Sequence, residues 1–477
     1  MASRGNFSGR IGFILAAAGS AVGLGNIWRF PYLAGENGGA IFLLVYLCCI
    51  FLLCYPVMVG EIAIGRSANS DAFGSYSKLG GQKWGYLGLF GIIAGVLILS
   101  FYNVVAGWAF GYFLHISFGD LLSQQDFGGF FGSYVNDILD VSSLTGLSNS
   151  NLIFSLVFMM LTAIIVSQGI QKGIEASNKI MMPSLYIILV GIIIYSLTLP
   201  NAFSGVKFYL VPDFSELKVQ TVVDGLKQAF FSLSLGMGAL ITYGSYLSKK
   251  ENITSSAAVI SLADTSVAFF AGLMVFPLVH FLAYKLNINP QEIGTSGPPL
   301  IFVVLPQIFQ EMGPILGRII GGSFFLLVCF AALTSTISLL EVPVAYLVDQ
   351  KKMNRKVVVW LMAAIIFICG LPSMMSMGMI PWLNKLTFYK GQDFLTFIAD
   401  MSDICLTVGG CIMCIFIGRR WGLANMDAEL KQGNDTYMTS RVRNYLHLTI
   451  KWIAPILLGV LSVVIILEKF FGIENLF

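Results

Sequence analysis

The chain has 477 residues, of which 56% are hydrophobic and 11% charged. Soluble proteins carry about 25% charged residues, so this composition excludes a soluble domain and indicates a multi-pass membrane protein. The net charge of +3 says little by itself and no nucleic-acid partner is expected; what counts is where the basic residues lie.

About 20 apolar residues cross a bilayer. On that measure eleven spans are expected, at 11–34, 40–64, 84–117, 151–168, 176–199, 224–247, 255–284, 318–348, 356–373, 394–418 and 446–469. MASRGNFSGR runs into the first span with no small-residue cleavage site, so no cleaved signal is expected. Within that span GSAVGLGNIWRFPY interrupts the apolar run. Gly19, Gly23 and Gly25 weaken a helix there, and Asn26 and Arg29 follow at a depth where polar groups are expensive and usually functional. The connections after spans two, four, six, eight and ten carry the basic residues, among them Arg66, Lys172, Lys249, Lys351 and Arg419, whereas the one after span three carries Asp120, Asp126, Asp137 and Asp140. The positive-inside rule then places the N-terminus in the cytoplasm and, with eleven spans, the C-terminus outside. A second interruption, FFSLSLGMGALITYG, falls at 230–244, and a lone Asp264 lies inside span seven. The linker 285–317, with its TSGPPL, is expected to fold back as a lid. The eight cysteines all fall in expected spans, where cysteine is usually a small buried hydrophobe.

Five spans precede residue 224 and five more run to 418, with one left over. An odd number per half inverts the second half, so the chain reads as one transporter domain over 1–477, built from inverted repeats at 11–199 and 224–418 with an extra helix at 446–469. Two broken spans at corresponding places of such halves point to a transporter's binding site. An ion channel fits less well, because no repeated filter loop is present. An intramembrane enzyme fits worse: His115, His280 and His447 are scattered and no HExxH occurs.

A helix broken inside lipid frees amides and carbonyls that must find partners. Where the break lines a cavity, the freed amides suit a carboxylate and the freed carbonyls a cation. Asn26 supplies an amide oxygen beside the first break, Ser232 and Ser234 flank the second, and FAALTSTISLLE sets Thr334 and Ser335 on span eight. These are hard oxygen ligands suited to Na⁺; for Thr334 and Ser335, hydrogen bonding between helices is the competing reading.

GSAVGLGNIWRFPY, ENGG at 36–39, FFSLSLGMG and ALTS together resemble the neurotransmitter:sodium symporters, over essentially the whole chain. The resemblance implies an all-α membrane fold of LeuT type, a 5+5 inverted repeat with helices 1 and 6 discontinuous, in which eleven spans are a bacterial variant. It implies a sodium-coupled symporter, not an enzyme, in a bacterial plasma membrane, surrounded by lipid and requiring no oligomer. Two sodium sites are implied, one from the Ala21 carbonyl, Asn26, Ser232, Asp264 and the substrate carboxylate. The other takes the carbonyls of Gly19, Val22 and Ala331 with the hydroxyls of Thr334 and Ser335. The substrate carboxylate would meet Leu24, Gly25 and Tyr102, its amino group the carbonyls near Ala21, Phe231 and Ser234. Its side chain would be enclosed by Ser20, Ile98, Tyr102, Phe231, Ser234, Met237 and Leu339, with Ser335 alongside. Asp264, where many members have asparagine, and Ala268, where animal members have a chloride-binding serine, argue against chloride; a merely hydrogen-bonded Asp264 is the alternative. Gly23 stands where monoamine transporters carry an aspartate, so the substrate must bring its own carboxylate: a neutral, hydrophobic or aromatic L-amino acid. For the gates the resemblance implies Arg29 with Asp400, Asp403 remaining open, on the outer side, and Arg4 with Asp349, near Tyr246, on the inner.

Overall fold

The computed structural model describes residues 5–119, 121–136, 151–293, 297 and 299–471. Among these there is no strand. The main helices are α1 (Arg10–Ala21), α2 (Gly25–Glu36), α3 (Ala40–Ala68), α4 (Gln82–Phe118), α5 (Asn151–Ser167), α6 (Ile170–Ser196), α7 (Val219–Ser232), α8 (Ala239–Gly244), α9 (Ile253–Leu286), α10 (Leu300–Glu311), α11 (Pro314–Lys351), α12 (Arg355–Met375), α13 (Phe394–Trp421), α14 (Leu423–Lys431) and α15 (Arg441–Phe471). Eight of them are long and apolar enough to cross a membrane, and α1 with α2 makes a ninth span bent by 48°. The 17-residue α5 and the interrupted α7–α8 fill the two remaining expected positions. Of the linker 285–317 expected to fold back as a lid, Thr295, Ser296 and Pro298 of TSGPPL lie outside the described residues, and α10 within it buries Leu300, Ile301 and Phe302.

The 37-residue α4 and 38-residue α11 pack along one another as the scaffold. At 1.5 Å per residue each is more than 50 Å long, well over the ~30 Å hydrocarbon core, so each is long enough to cross it with length to spare. The broken helices lie against this pair. Cys48 and Cys369 are exposed on the bundle's outside and not buried as the sequence suggested, because an apolar thiol is equally at home facing lipid.

The two breaks are made differently. In the first, α1 closes at Val22, whose ψ of 110° is extended, and α2 restarts at Gly25. None of Gly19, Gly23 or Gly25 has a positive φ, so the break does not depend on a left-handed glycine. Glycine here serves close approach: a methyl group on Gly23 would run into the hydroxyls of Ser335 and Tyr102. In the second break Ser234, Gly236 and Gly238 take φ of 54°, 82° and 76°, a left-handed run between α7 and α8 that glycine makes cheap.

At the end of the bundle where α3 finishes, Arg66 has a fully buried side chain. It pairs with Glu429 of α14 at 2.6 Å and donates to the carbonyls of Glu251 at 2.5 Å and Glu429 at 2.6 Å. Lys249, just past α8, meets the other Glu429 oxygen at 2.9 Å. This cluster binds α14 to the connection between α8 and α9. Breaking a buried ion pair from one side strands a charge at about 3–5 kcal/mol, whereas Arg66 alone would keep its carbonyl partners. Arg66→Met is therefore expected to lower the thermal unfolding midpoint of the purified protein markedly, and Glu429→Gln to lower it less. Equal loss in the two variants would contradict this account.

Candidate functional site

The two breaks face each other and are joined directly. Ser234 Oγ donates to the Ser20 carbonyl at 2.8 Å, and Gln228 Nε2 to the Gly25 carbonyl at 2.7 Å. Between them, closed by α4 and α11, is a narrow cavity of about 20 Å³. Its wall is Ser20, Ala21, Gly23 and Gly25 from the first broken span, Ile98 and Tyr102 from α4, Phe231, Ser232, Ser234 and Met237 from the second, and Ser335 and Leu339 from α11. The expected substrate residues are thus brought together, with one difference. Leu24 turns its side chain toward a larger cavity beyond, and only its amide faces inward, donating to Tyr102 Oη at 2.8 Å. The Ser20 hydroxyl is bonded to Ser338 at 2.7 Å. No charged residue lines the pocket.

Against one side of this pocket lies a buried polar knot. Asn26 Nδ2 donates to Asp264 Oδ1 at 2.8 Å and to Ser232 Oγ at 3.0 Å; Ser232 Oγ donates to Asp264 Oδ1 at 2.7 Å. Tyr46 of α3 donates to Asp264 Oδ2 at 3.0 Å, while Asn26 Oδ1 accepts from the Gly23 amide at 2.9 Å. Residues from four spans therefore converge on one carboxylate, which has no basic partner among these contacts. On the other side, Thr334 Oγ1 faces the Val22 carbonyl at 3.3 Å and the Ala331 carbonyl at 3.0 Å, and Ser335 Oγ faces Val22 at 3.4 Å and Ser20 at 3.5 Å. Gly19 packs on Thr334, since a methyl there would lie 3.2 Å from its Cβ. Two oxygen clusters thus flank one pocket.

At the Arg29 end the structure corrects the expected partner. Arg29 makes a two-pronged pair with Asp403, at 2.6 and 3.1 Å, not with Asp400. The two carboxylates sit one turn apart on α13; the shallower, Asp400, is taken by Tyr389 at 2.7 Å and Lys469 of α15 at 3.3 Å. Arg29 also lies over the Phe231 ring at 4.8 Å, so ring and ion pair together cap the pocket. At the opposite end Arg4 lies outside the described residues. Asp349 accepts from the Asp71 amide at 3.0 Å, and Tyr246 donates to Glu341 at 2.8 Å. Glu341 is in turn held by Arg355 at 2.5 Å.

Sequence reasoning missed Tyr46, Gln228, Glu341 and Glu61, whose Oε1 accepts from the Gly236 amide in the second break at 2.6 Å. Glu61 and Glu341 did carry a signal, since an ionisable residue within a span marks function by default.

If the Arg29–Asp403 pair is the gate that the resemblance implies, it should matter more to transport than to folding and should tolerate reversal. Arg29→Ala is expected to cut uptake severely with near-normal expression. Arg29→Asp with Asp403→Arg is expected to recover part of it, while Arg29→Asp with Asp400→Arg is not. Recovery by the Asp400 combination alone would refute the pairing.

The profile of the Sodium:neurotransmitter symporter family matches residues 4–127 and 123–474. An uncharacterized sodium-dependent transporter of Bacillus subtilis is 37% identical over 434 residues, covering 90% of this chain and 91% of that protein. One from Haemophilus influenzae is 32% identical over 475 residues, covering 96% and 98%. The crystal structure of MhsT in complex with L-phenylalanine superposes with a TM-score of 0.84 at 42% identity, covering 97% of this chain and 99% of that one. With the broken helices, the pocket between them and these matches along its full length, the chain belongs to the sodium:neurotransmitter symporter family, whose members are sodium-coupled transporters and not enzymes.

Proposed function

We propose that this protein carries a neutral, hydrophobic or aromatic L-amino acid into the cell with two sodium ions, independently of chloride. The observation that carries the reading is the uncharged pocket set between two oxygen clusters. Without a lysine or arginine in its wall, an acidic side chain would be left unpaired and desolvated. Gly23 has no room for a side chain beside Tyr102 and Ser335, so no protein carboxylate can stand there and the substrate supplies it. That MhsT, 42% identical, was crystallised with L-phenylalanine supports an aromatic or bulky apolar side chain.

The first ion would take Asn26, Ser232, Asp264, the Ala21 carbonyl and the substrate carboxylate. Asn26 now turns its Nδ2 to Asp264, so binding a cation requires its amide to rotate by half a turn and present Oδ1. Asp264 then supplies the fixed negative charge that a chloride would otherwise provide, and Ala268 offers no hydroxyl to hold that chloride. The second ion would take Thr334, Ser335 and the carbonyls of Gly19, Val22 and Ala331. Alternating access would come from the repeats 11–199 and 224–418 rocking about the pocket, with the N-terminus cytoplasmic, the C-terminus outside and the protein in a bacterial plasma membrane. Moving one charge through 100 mV is worth about 2.3 kcal/mol, so two sodium ions supply roughly a thousandfold accumulation of a zwitterion from voltage alone.

In proteoliposomes, replacing Na⁺ by choline is expected to abolish uptake of L-phenylalanine and L-leucine, and replacing Cl⁻ by gluconate to leave it intact. Uptake undiminished in choline would refute sodium coupling; loss in gluconate would refute chloride independence. A signal that never saturates with amino-acid concentration would favour a channel.

Asp264→Asn isolates the charge, keeping size and one oxygen. If Asp264 is an ionised ligand, the Na⁺ needed for half-maximal uptake should rise by roughly tenfold, equivalent to losing about 1.4 kcal/mol of binding, or chloride stimulation should appear. An unchanged sodium titration with normal expression would reduce Asp264 to a hydrogen-bonded structural residue.

A further inference from the structure

No residue of α6 belongs to either oxygen cluster, yet one of its buried side chains faces the second. Asn178 is 1% exposed. Its Nδ2 donates to the Ile174 carbonyl one turn back at 2.8 Å. That bond fixes the amide's orientation, because only the NH₂ end can donate to a carbonyl. Oδ1, with two lone pairs, has no hydrogen-bond partner, a condition buried polar atoms seldom tolerate. It is aimed at Gly19. A methyl group on Gly19 would collide with this oxygen and would also lie 3.2 Å from Thr334 Cβ. The absent side chain therefore lets the unpaired amide oxygen sit directly against Gly19, beside Thr334. Were Asn178 only a packing residue, an apolar side chain would fill the place without an unsatisfied acceptor.

We propose that Asn178 Oδ1 is a further oxygen ligand of the second sodium site, reaching the ion directly or through one water. The inference rests on reading the Thr334 and Ser335 cluster as that site. It assigns the unpaired oxygen a hard cation, the partner for which an uncharged amide carbonyl is suited. It also makes α6, with α1 and α11, a third helix whose position depends on whether sodium is bound.

The test is a sodium titration of thermal unfolding on the full-length purified protein, with NaCl exchanged against choline chloride and no amino acid present. Asn178→Ala is expected to raise the stabilising Na⁺ midpoint by roughly tenfold, as for loss of one bond to a charged group. Asn178→Asp, nearly the same shape, is expected to lower the midpoint near neutral pH and to make it climb as the pH is lowered, because its added carboxylate protonates. A purely structural Asn178 would give neither the tighter binding nor the new pH dependence, and their absence would overturn the proposal. Thr334→Ala is the reference. If it moves the midpoint while both Asn178 variants stay within about twofold of wild type, Asn178 is not a ligand and the sodium site stands. If Thr334→Ala also leaves the midpoint unmoved, the reading of that cluster as a sodium site fails with it.

Discussion

A helix can be broken inside a membrane only if the protein itself satisfies the backbone groups that the break releases. Here the two breaks are satisfied largely by each other and by the scaffold behind them. Ser234 takes the Ser20 carbonyl, Gln228 the Gly25 carbonyl and Tyr102 the Leu24 amide. Asn26 Oδ1 takes the Gly23 amide, and Glu61 reaches from α3 to the Gly236 amide. Remove the second broken span and the Ser20 and Gly25 carbonyls lose these donors in lipid. That mutual dependence fixes the place where α1, α2, α7 and α8 meet, and the pocket is the space they cannot fill.

The same constraint explains why so many polar side chains can be buried without destabilising the bundle. Asp264 is enclosed by Asn26, Ser232 and Tyr46, so its carboxylate has donors on both oxygens. A carboxyl so held keeps its position, but its donors are neutral and would not balance a charge on it. A cation entering the knot would therefore replace hydrogen bonds with a stronger interaction, at the cost of turning Asn26. On the other side of the pocket, Thr334 and Ser335 use long contacts of 3.3 to 3.5 Å to the carbonyls of Ser20 and Val22. Such distances mark oxygens held apart by the packing of α1 on α11, and not drawn fully together.

How much of this could be read in the sequence depends on the range of the interaction. The spans follow from hydropathy, a local property, and the two interruptions stand out because Gly23, Asn26 and Gly236 violate it within a few residues. The pocket residues came from whole-chain resemblance, and the geometry gathers them around one cavity. Partners far apart in the chain were the weak point. Asp400 and Asp403 are equivalent in the sequence, and only the arrival of Lys469 from the last helix shows which of them is free to meet Arg29. The pairing of Tyr246 with Glu341 needed Arg355, read from the sequence only as a loop charge. The glycines of the first break were legible only as residues that weaken a helix. Their φ values show that they make room for neighbours instead, which no local rule distinguishes.

The two ends of the pocket are closed with unequal depth. At the Arg29 end, Phe231 and a single ion pair separate the pocket from a broad cavity that contains both Arg29 and Asp403 in its wall. Toward the other end the path is filled by buried Tyr243 and Tyr246, then by Glu341 with Arg355. Beyond these, Arg66 and Glu429 tie down α14 and the connection from α8 to α9. Opening the thin side requires the loss of one partly exposed ion pair and the swing of one ring. That pair is itself largely sheltered, with side chains 20% and 10% exposed, but it is a single pair. Opening the thick side requires several buried charges to separate together, each costly to leave alone. On the proposed function, substrate would enter from the Arg29 side, where fewer groups form the closure. Release on the far side would then need an event large enough to move α1 and α8 together, and the departure of the proposed second sodium ion from between α1 and α11 would be of that kind.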